Sequence, residues 1–244
     1  MNSGYYAAFT GLVSRMQALD VLANNLANVS TTGFRGQHEF YRSVTVAQGN
    51  QSLSPLNRVI NDFAVLGGSD VDLRQGNLES TGNNLDLAVS GPAFFSVRTA
   101  AGARYTRNGS FHMSTVGQIV NDDQNPVLGP NGPILVTQGQ VTVAEDGTVA
   151  VDGGVVGSLK LTEFVAGTKL LPEGSSNFIA PPGTEKPAVN SKVEQGMLES
   201  SNLSAVQATV TLMVLQRHAE MLERTLSIFQ NDFNRTAVQD LPRD

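Results

Sequence analysis

The chain has 244 residues, a formal net charge of −6, 40% hydrophobic residues and only 16% charged ones, with no Cys and no Trp. That balance excludes a nucleic-acid binder, because affinity for a phosphate backbone comes from clustered Lys and Arg and no such cluster is present. The missing Cys excludes disulfide scaffolds, thiolate metal sites and Cys nucleophiles. Gly and neutral polar residues take the place of charge, which suits a surface packed against copies or relatives. Absent Cys also fits a life outside the cytosol. Yet Asn2, Ser3 and Gly4 lead into an amphipathic pattern rather than a basic n-region and apolar core, so no Sec signal is read. No apolar run approaches the roughly 18 residues of a membrane span.

The first element is a helix expected from about Gly4 to about Asn28, roughly 37 Å long at the usual rise. Its apolar residues Tyr5, Phe9, Leu12, Met16, Leu19, Ala23 and Leu26 alternate in steps of four and three, the seam of a coiled coil. Ser30-Thr31-Thr32-Gly33 ends it, with Gly33 free to take a positive φ. Residues 36–75, with Gly49, Pro55, Gly67 and Gly68, lack periodicity and read as an extended connector. From 76 to 190 the period becomes two, and roughly ten short strands are expected. Leu85, Leu87 and Val89 alternate with Asp86 and Ala88, and then come Phe94 to Val97, Tyr105 to Phe111, Ile119-Val120 and Ile134 to Val136. Val141 and Val143 should pair with Val149 and Val151 across Asp146-Gly147. Leu159, Leu161 and Phe164 give a further strand.

The last element, within 191–244, is a second helix opened by the capping box Ser204-x-x-Gln207. Ala205, Ala208, Leu212, Leu215, Ala219, Leu222, Leu226, Phe229 and Phe233 repeat the alternating seam. Val206, Val210, Met213, Val214, Met221 and Ile228 widen the stripe, which implies more than one packing partner. The expected class is therefore α+β: terminal helices (1–35 and 191–244) forming a coiled-coil domain, and a central all-β domain over 76–190. One echo crosses this plan. Gln75-Gly76-Asn77-Leu78-Glu79-Ser80 returns as Gln195-Gly196-Met197-Leu198-Glu199-Ser200.

These blocks together resemble bacterial flagellar rod and hook proteins. Ala23-Asn24-Asn25-Leu26-Ala27-Asn28 through Gly33-Phe34-Arg35 resembles the family's N-terminal signature. Gln75-Gly76-Asn77-Leu78 with Leu85 to Gly91 and Phe94-Phe95 is similar to the start of its central domain, and Tyr105-Thr106-Arg107-Asn108-Gly109-Ser110-Phe111 to the next block. Gly196-Met197-Leu198-Glu199-Ser200-Ser201-Asn202, followed by Gln216-Arg217, is similar to the C-terminal block. Ala219 departs from the family, which usually carries an aromatic there. The resemblance implies a subunit of the basal-body rod, whose partners are copies of itself, other rod and hook proteins and the flagellar type III export apparatus, with no cleaved signal. The proximal rod is favoured on length and on the stretch from Pro126 to Ile134; the distal rod or a hook-type axial protein is the alternative.

No catalytic, cofactor or metal constellation is read. His38, His112 and His218 fall in three regions without ligand spacing. Asn121 to Asn125 lacks the Gly and Glu of a calcium loop and reads as a polar turn. A wall-acting hydrolase would need a poised carboxylate pair. Glu79 and Glu199 read instead as junction residues near a helix start. An extracellular adhesin would need a signal or an anchor.

Overall fold

The computed structural model describes residues 2–42, 65–136, 139–174 and 176–239, in two units. Gly49 and Pro55 of the expected connector, and residues 240–244 of the tail, lie outside the described residues. The chain is α+β, with a helix at each end and strands between.

The first unit comprises residues 1–26, 37–70 and 205–244. It holds α1 (Asn2–Ala27), α2 (Ala205–Gln239) and the pair β1 (Gln37–Arg42) with β2 (Val65–Val71). Ala18 and Leu22 of α1 form one apolar cluster with Ala208 and Leu215 of α2, edged by Leu19, Leu26 and Leu212. The expected coiled-coil domain is not what the helices form. On α1 the buried face is Ala8, Ser14, Ala18, Leu22 and Asn25, whereas Phe9 and Met16 of the predicted seam are 50% and 55% exposed and Ala23 is exposed. Large knobs on both helices define a coiled coil. Here Ala18 and Leu22 enter the cluster, the seam residues Leu12, Leu19 and Leu26 are half-buried with the last two at its edge, and Phe9 and Met16 stay outside, so the buried face is turned about one residue from the predicted seam. On α2 the seam residues Ala208, Leu215, Ala219 and Leu226 are buried, Leu212 and Leu222 half-buried, and Ala205 and Phe229 exposed. The side chains of Tyr5 and Phe233 lie outside the described residues. Asn25 is buried for a separate reason. Its amide donates to the Gln37 carbonyl (2.7 Å) and accepts from the Gln37 N–H (2.9 Å), so it stands in for a strand residue beside β1.

The second unit comprises residues 27–36 and 71–204. Its strands, in chain order, are β3 (Leu78–Ser80), β4 (Leu87–Ser90), β5 (Phe94–Thr99), β6 (Gly102–Thr106), β7 (Phe111–Met113), β8 (Ile119–Asn121), β9 (Leu128–Gly129), β10 (Gly132–Pro133), β11 (Val141–Val143), β12 (Thr148–Val151), β13 (Gly154–Ser158), β14 (Leu161–Phe164), β15 (Leu171–Glu173), β16 (Asn177–Ile179), β17 (Glu185–Pro187), β18 (Lys192–Gln195) and β19 (Met197–Glu199). They are more numerous and shorter than periodicity suggests, because turns interrupt nearly every apolar run. The main sheet has the order β15-β16-β6-β5-β14-β17 and is antiparallel throughout. A three-stranded sheet β11-β12-β13 contains the expected hairpin, with Val141 opposite Val151 and Val143 opposite Val149. The remaining pairs are β4-β18, β3-β19, β7-β8 and β9-β10.

Adjacent residues of a strand point to opposite faces, and Phe94-Phe95 on central β5 uses both. Phe95 enters the main core with Val97, Ile119, Val149 and Val193 and meets Phe111 edge-on at 5.1 Å. Phe94 enters a second cluster with Tyr105, Leu170 and Phe178, edge-on to Phe164 at 5.5 Å. In that cluster the Tyr105 hydroxyl donates to Glu185, and burial raises its pKa above the usual phenol value. Both phenylalanines are sealed, so the main sheet is covered on both sides.

Phe95→Ala should destabilise this unit by about 3–5 kcal/mol through lost burial and a cavity. Val189→Ala, at an exposed position, should stay within about 0.5 kcal/mol. Urea unfolding followed by circular dichroism checks both.

Candidate functional site

The second unit brings the motif blocks to one point. The two copies of the Gln-Gly-x-Leu-Glu-Ser echo pair with each other. β3 runs antiparallel to β19, with Leu78 opposite Glu199, Glu79 opposite Leu198 and Ser80 opposite Met197. The ribbon continues through the Ser200 N–H donating to the Asn77 carbonyl (2.9 Å) and the Thr81 N–H donating to that of Gly196 (2.8 Å). The two glutamines play parallel roles. The Gln75 amide donates to the Val89 carbonyl (3.0 Å) and accepts from the Gly91 N–H (3.1 Å). The Gln195 amide donates to the Asn84 and Val141 carbonyls and accepts from the Val143 N–H. Each amide thus closes the backbone groups of a neighbouring strand.

Glu199 does not lie at a helix start, as its spacing suggests. It lies in β19 with 0% of its surface exposed, while its echo partner Glu79 is exposed. Two guanidinium groups hold its carboxylate. Arg35 Nη1 lies 2.6 Å from Oε1 and Arg107 Nη1 lies 3.3 Å from Oε2. Both arginines are 1% exposed. The Gly76 N–H adds a donor to Oε1 at 2.7 Å. Isolated ions of this size lose several kcal/mol each on leaving water, so such a group survives only with good geometry and extra hydrogen bonds. Arg107 has them: Nη1 donates to the Val89 carbonyl (3.1 Å), Nη2 to that of Gly91, and its cation lies 4.7 Å from the Phe94 ring centre. Burial pushes Arg107 down to about 10 against the opposing pull of Glu199, so it stays charged at neutral pH. Arg35 is held differently. Its close approach to Glu199 is off the donor axis, an ion contact, and none of its three guanidinium nitrogens makes a hydrogen bond among the described residues.

Backbone approach is equally tight. Gly33 has φ +68°, its N–H donates to the Glu199 carbonyl (2.7 Å), and a Cβ there would sit 2.2 Å from the Asn108 nitrogen. At Gly76 a Cβ would sit 2.0 Å from the Ser200 carbonyl oxygen. Asn202 then ties three segments, accepting from the Gly36 N–H and donating to the Asp72 and Arg74 carbonyls, each at 2.9 Å. Of the motif residues, Gly33, Gln75, Gly76, Leu78, Gly196, Leu198, Glu199 and Asn202 therefore meet directly, with Phe34 and Ser201 buried beside them. Asn28 accepts from the Thr31 N–H just past α1. Asn25, Leu26, Gln216 and Arg217 belong to the first unit, the last two exposed on α2. Sequence reasoning placed Arg35 and Arg107 inside motifs without seeing that both serve one carboxylate. Their signal was charge in blocks otherwise almost free of it.

The first unit carries the other candidate surface. Phe9, Val13 and Met16 on α1, and Val206, Val210, Met213, Met221 and Ile228 on α2, stay exposed although apolar. Apolar faces of this kind on helices mark packing against another body.

Comparison with known proteins gives a consistent answer. Residues 88–151 match the family described as flagellar hook protein FlgE/F/G D1 domain, and residues 6–35 match that described as flagella basal body rod protein. The chain is similar to the flagellar basal-body rod protein FlgF of Mesorhizobium japonicum, 30% identical over 226 residues and 90% of each chain. It is similar to FlgF of Caulobacter vibrioides, 30% identical over 251 residues, 99% of this chain and 98% of the other. With the flagellar basal-body rod protein FlgG of Agrobacterium fabrum it shares 31% identity over 246 residues, 90% of this chain and 92% of the other.

Glu199→Gln keeps the shape but leaves two buried cations uncompensated, so it should cost about 3–5 kcal/mol. Glu79→Gln, in the exposed copy of the echo, should cost under about 0.5 kcal/mol. Chemical denaturation of the purified variants distinguishes the two.

Proposed function

Because the chain belongs to the family of flagellar basal-body rod proteins and is a structural subunit of the rod, we propose that it works mechanically, as a subunit of the proximal rod that polymerises helically into a torque-transmitting shaft. The observation that carries this reading is the uncovered apolar surface on both helices. Such faces need neighbours, and contacts that do not close a ring generate an open helical array. The neighbours are copies of this chain and other rod and hook proteins. Of the α1 seam, the exposed residues Phe9, Met16 and Ala23 are then intermolecular.

The proximal position is supported by the resemblance of the stretch Pro126 to Ile134, which holds the β9-β10 pair. The distal rod or a hook-type axial position is the second reading. Passage through the flagellar type III export apparatus belongs to the same proposal. A catalytic role in the cell wall is disfavoured by Glu199, which is sealed from solvent and neutralised by two arginines. His112 is engaged with Gln124, and His218 is exposed on α2.

Deleting the gene and imaging purified basal bodies by electron microscopy tests the reading. A rod that stops short supports it, and the length at which it stops separates proximal from distal. Complete basal bodies with filaments, and no paralogue substituting, would overturn it. Met16→Glu and Met221→Glu alter exposed positions only. Each should shift monomer stability by no more than about 0.5 kcal/mol yet abolish assembly and motility. Leu215→Glu, aimed into the helix–helix cluster, should damage the monomer itself.

A further inference from the structure

The segment 192–202 touches several sequence-distant parts of the second unit. It comes last in that unit's sequence, yet the rest is built around it. β18 pairs with β4, and its Val193 is sealed inside the main core. Gly196 donates its N–H to the Asp86 carbonyl, β19 pairs with β3, and Asn202 reaches Gly36, Asp72 and Arg74. Most of these contacts span very long loops: 123 residues separate Gly76 from Glu199 and 166 separate Gly36 from Asn202. Closure of such loops loses entropy before any contact returns it.

Charge sharpens the point. Residues 27–191 contain both buried arginines of the site, and among the described residues Glu199 is the carboxylate in ion contact with both, Glu163 acting on Arg107 from further off. Without it, Arg107 keeps carbonyl partners and a ring face, while Arg35 keeps none among the described residues. Packing the earlier segments into their final places would then bury two like charges with no counterion in contact, which a marginally stable domain tolerates poorly.

We propose that Glu199 is the closing counterion of the second unit. The strands before it do not consolidate one hairpin at a time; they become stable together, when residues 192–202 dock and the carboxylate enters between Arg35 and Arg107. A chain made N-terminus first thus keeps this unit open until its final stretch has arrived. The inference concerns folding order and does not depend on the chain's position in the rod.

The test is refolding of the full chain under pulse-labelling hydrogen exchange. The amides of the β5-β6 hairpin should gain protection in the same kinetic phase as those of the β3-β19 ribbon. Protection of β5 and β6 in an earlier phase, with the ribbon following later, would overturn the proposal. A second arm uses Glu199→Asp, which keeps the charge and withdraws it by one methylene. Refolding should slow by about tenfold while unfolding changes by less than about twofold, because a contact formed at the barrier acts on the folding rate. The reverse split, or no change in either rate, would mean that the ion contact forms after the barrier and would sink the idea. The pulse-labelling arm uses the unaltered chain, so it decides the matter even if the variant fails to fold.

Discussion

One carboxylate organises the larger part of this molecule. Glu199 lies out of water between Arg35 and Arg107, with the Gly76 N–H as a further donor. Its own backbone carbonyl accepts from Gly33. The three charged residues come from three distant stretches, so a single buried ion group fixes where each must lie. Replacing such a group by apolar residues is often neutral or stabilising, and its value lies in specificity rather than strength. The glycines at Gly33 and Gly76 belong to the same constraint. Their missing side chains let one backbone reach another at distances no Cβ would permit.

Much of this was legible in the sequence, and the parts that were not share a cause. The β11-β12 hairpin was readable because its register depends on neighbours in sequence: valines alternate on both sides of Asp146-Gly147. The echo was visible as a repeat, but its meaning was not, since nothing local says that Leu78 will face Glu199. Glu199 itself was misread. A carboxylate shortly before a helix normally favours the helix dipole, and only the fold supplies the two arginines that draw it inward. On α1 the strict alternation of apolar residues suggested the packing face, whereas the partner helix is met by Ala18 and Leu22 with Leu19 and Leu26 of that alternation at the edge. Apolar periodicity reports that a face will be covered; it does not report whether the cover comes from the same chain.

The last distinction bears on how a rod subunit divides its surfaces. Within the first unit, small and aliphatic side chains join α1 to α2. Phe9, Met16, Met213 and Met221 remain outward. Methionine is flexible and polarisable and adapts to irregular neighbours. Such surfaces suit an array in which copies and relatives meet the same helix at slightly different angles. The second unit is built on the opposite terms, with its aromatic residues locked edge-on and its ions sealed.

The paired echo also sets how the second unit answers a pull. Its longer stretch, 71–204, enters ahead of Leu78 and leaves after Glu199, and these two residues face each other at one end of the β3-β19 ribbon. Tension along the chain therefore acts on that end and would peel the strands apart one hydrogen bond at a time, the geometry in which a two-stranded ribbon is weakest. The bonds of Asn202 to the Asp72 and Arg74 carbonyls and of Ser200 to Asn77 meet the load first, and the point where Arg35, Arg107, Gly33 and Gly76 converge on Glu199 stands directly behind them. A dense cluster of contacts thus stands close behind the point where the load arrives, so the ion group acts as a clasp, and the strands behind it stay unloaded until it opens.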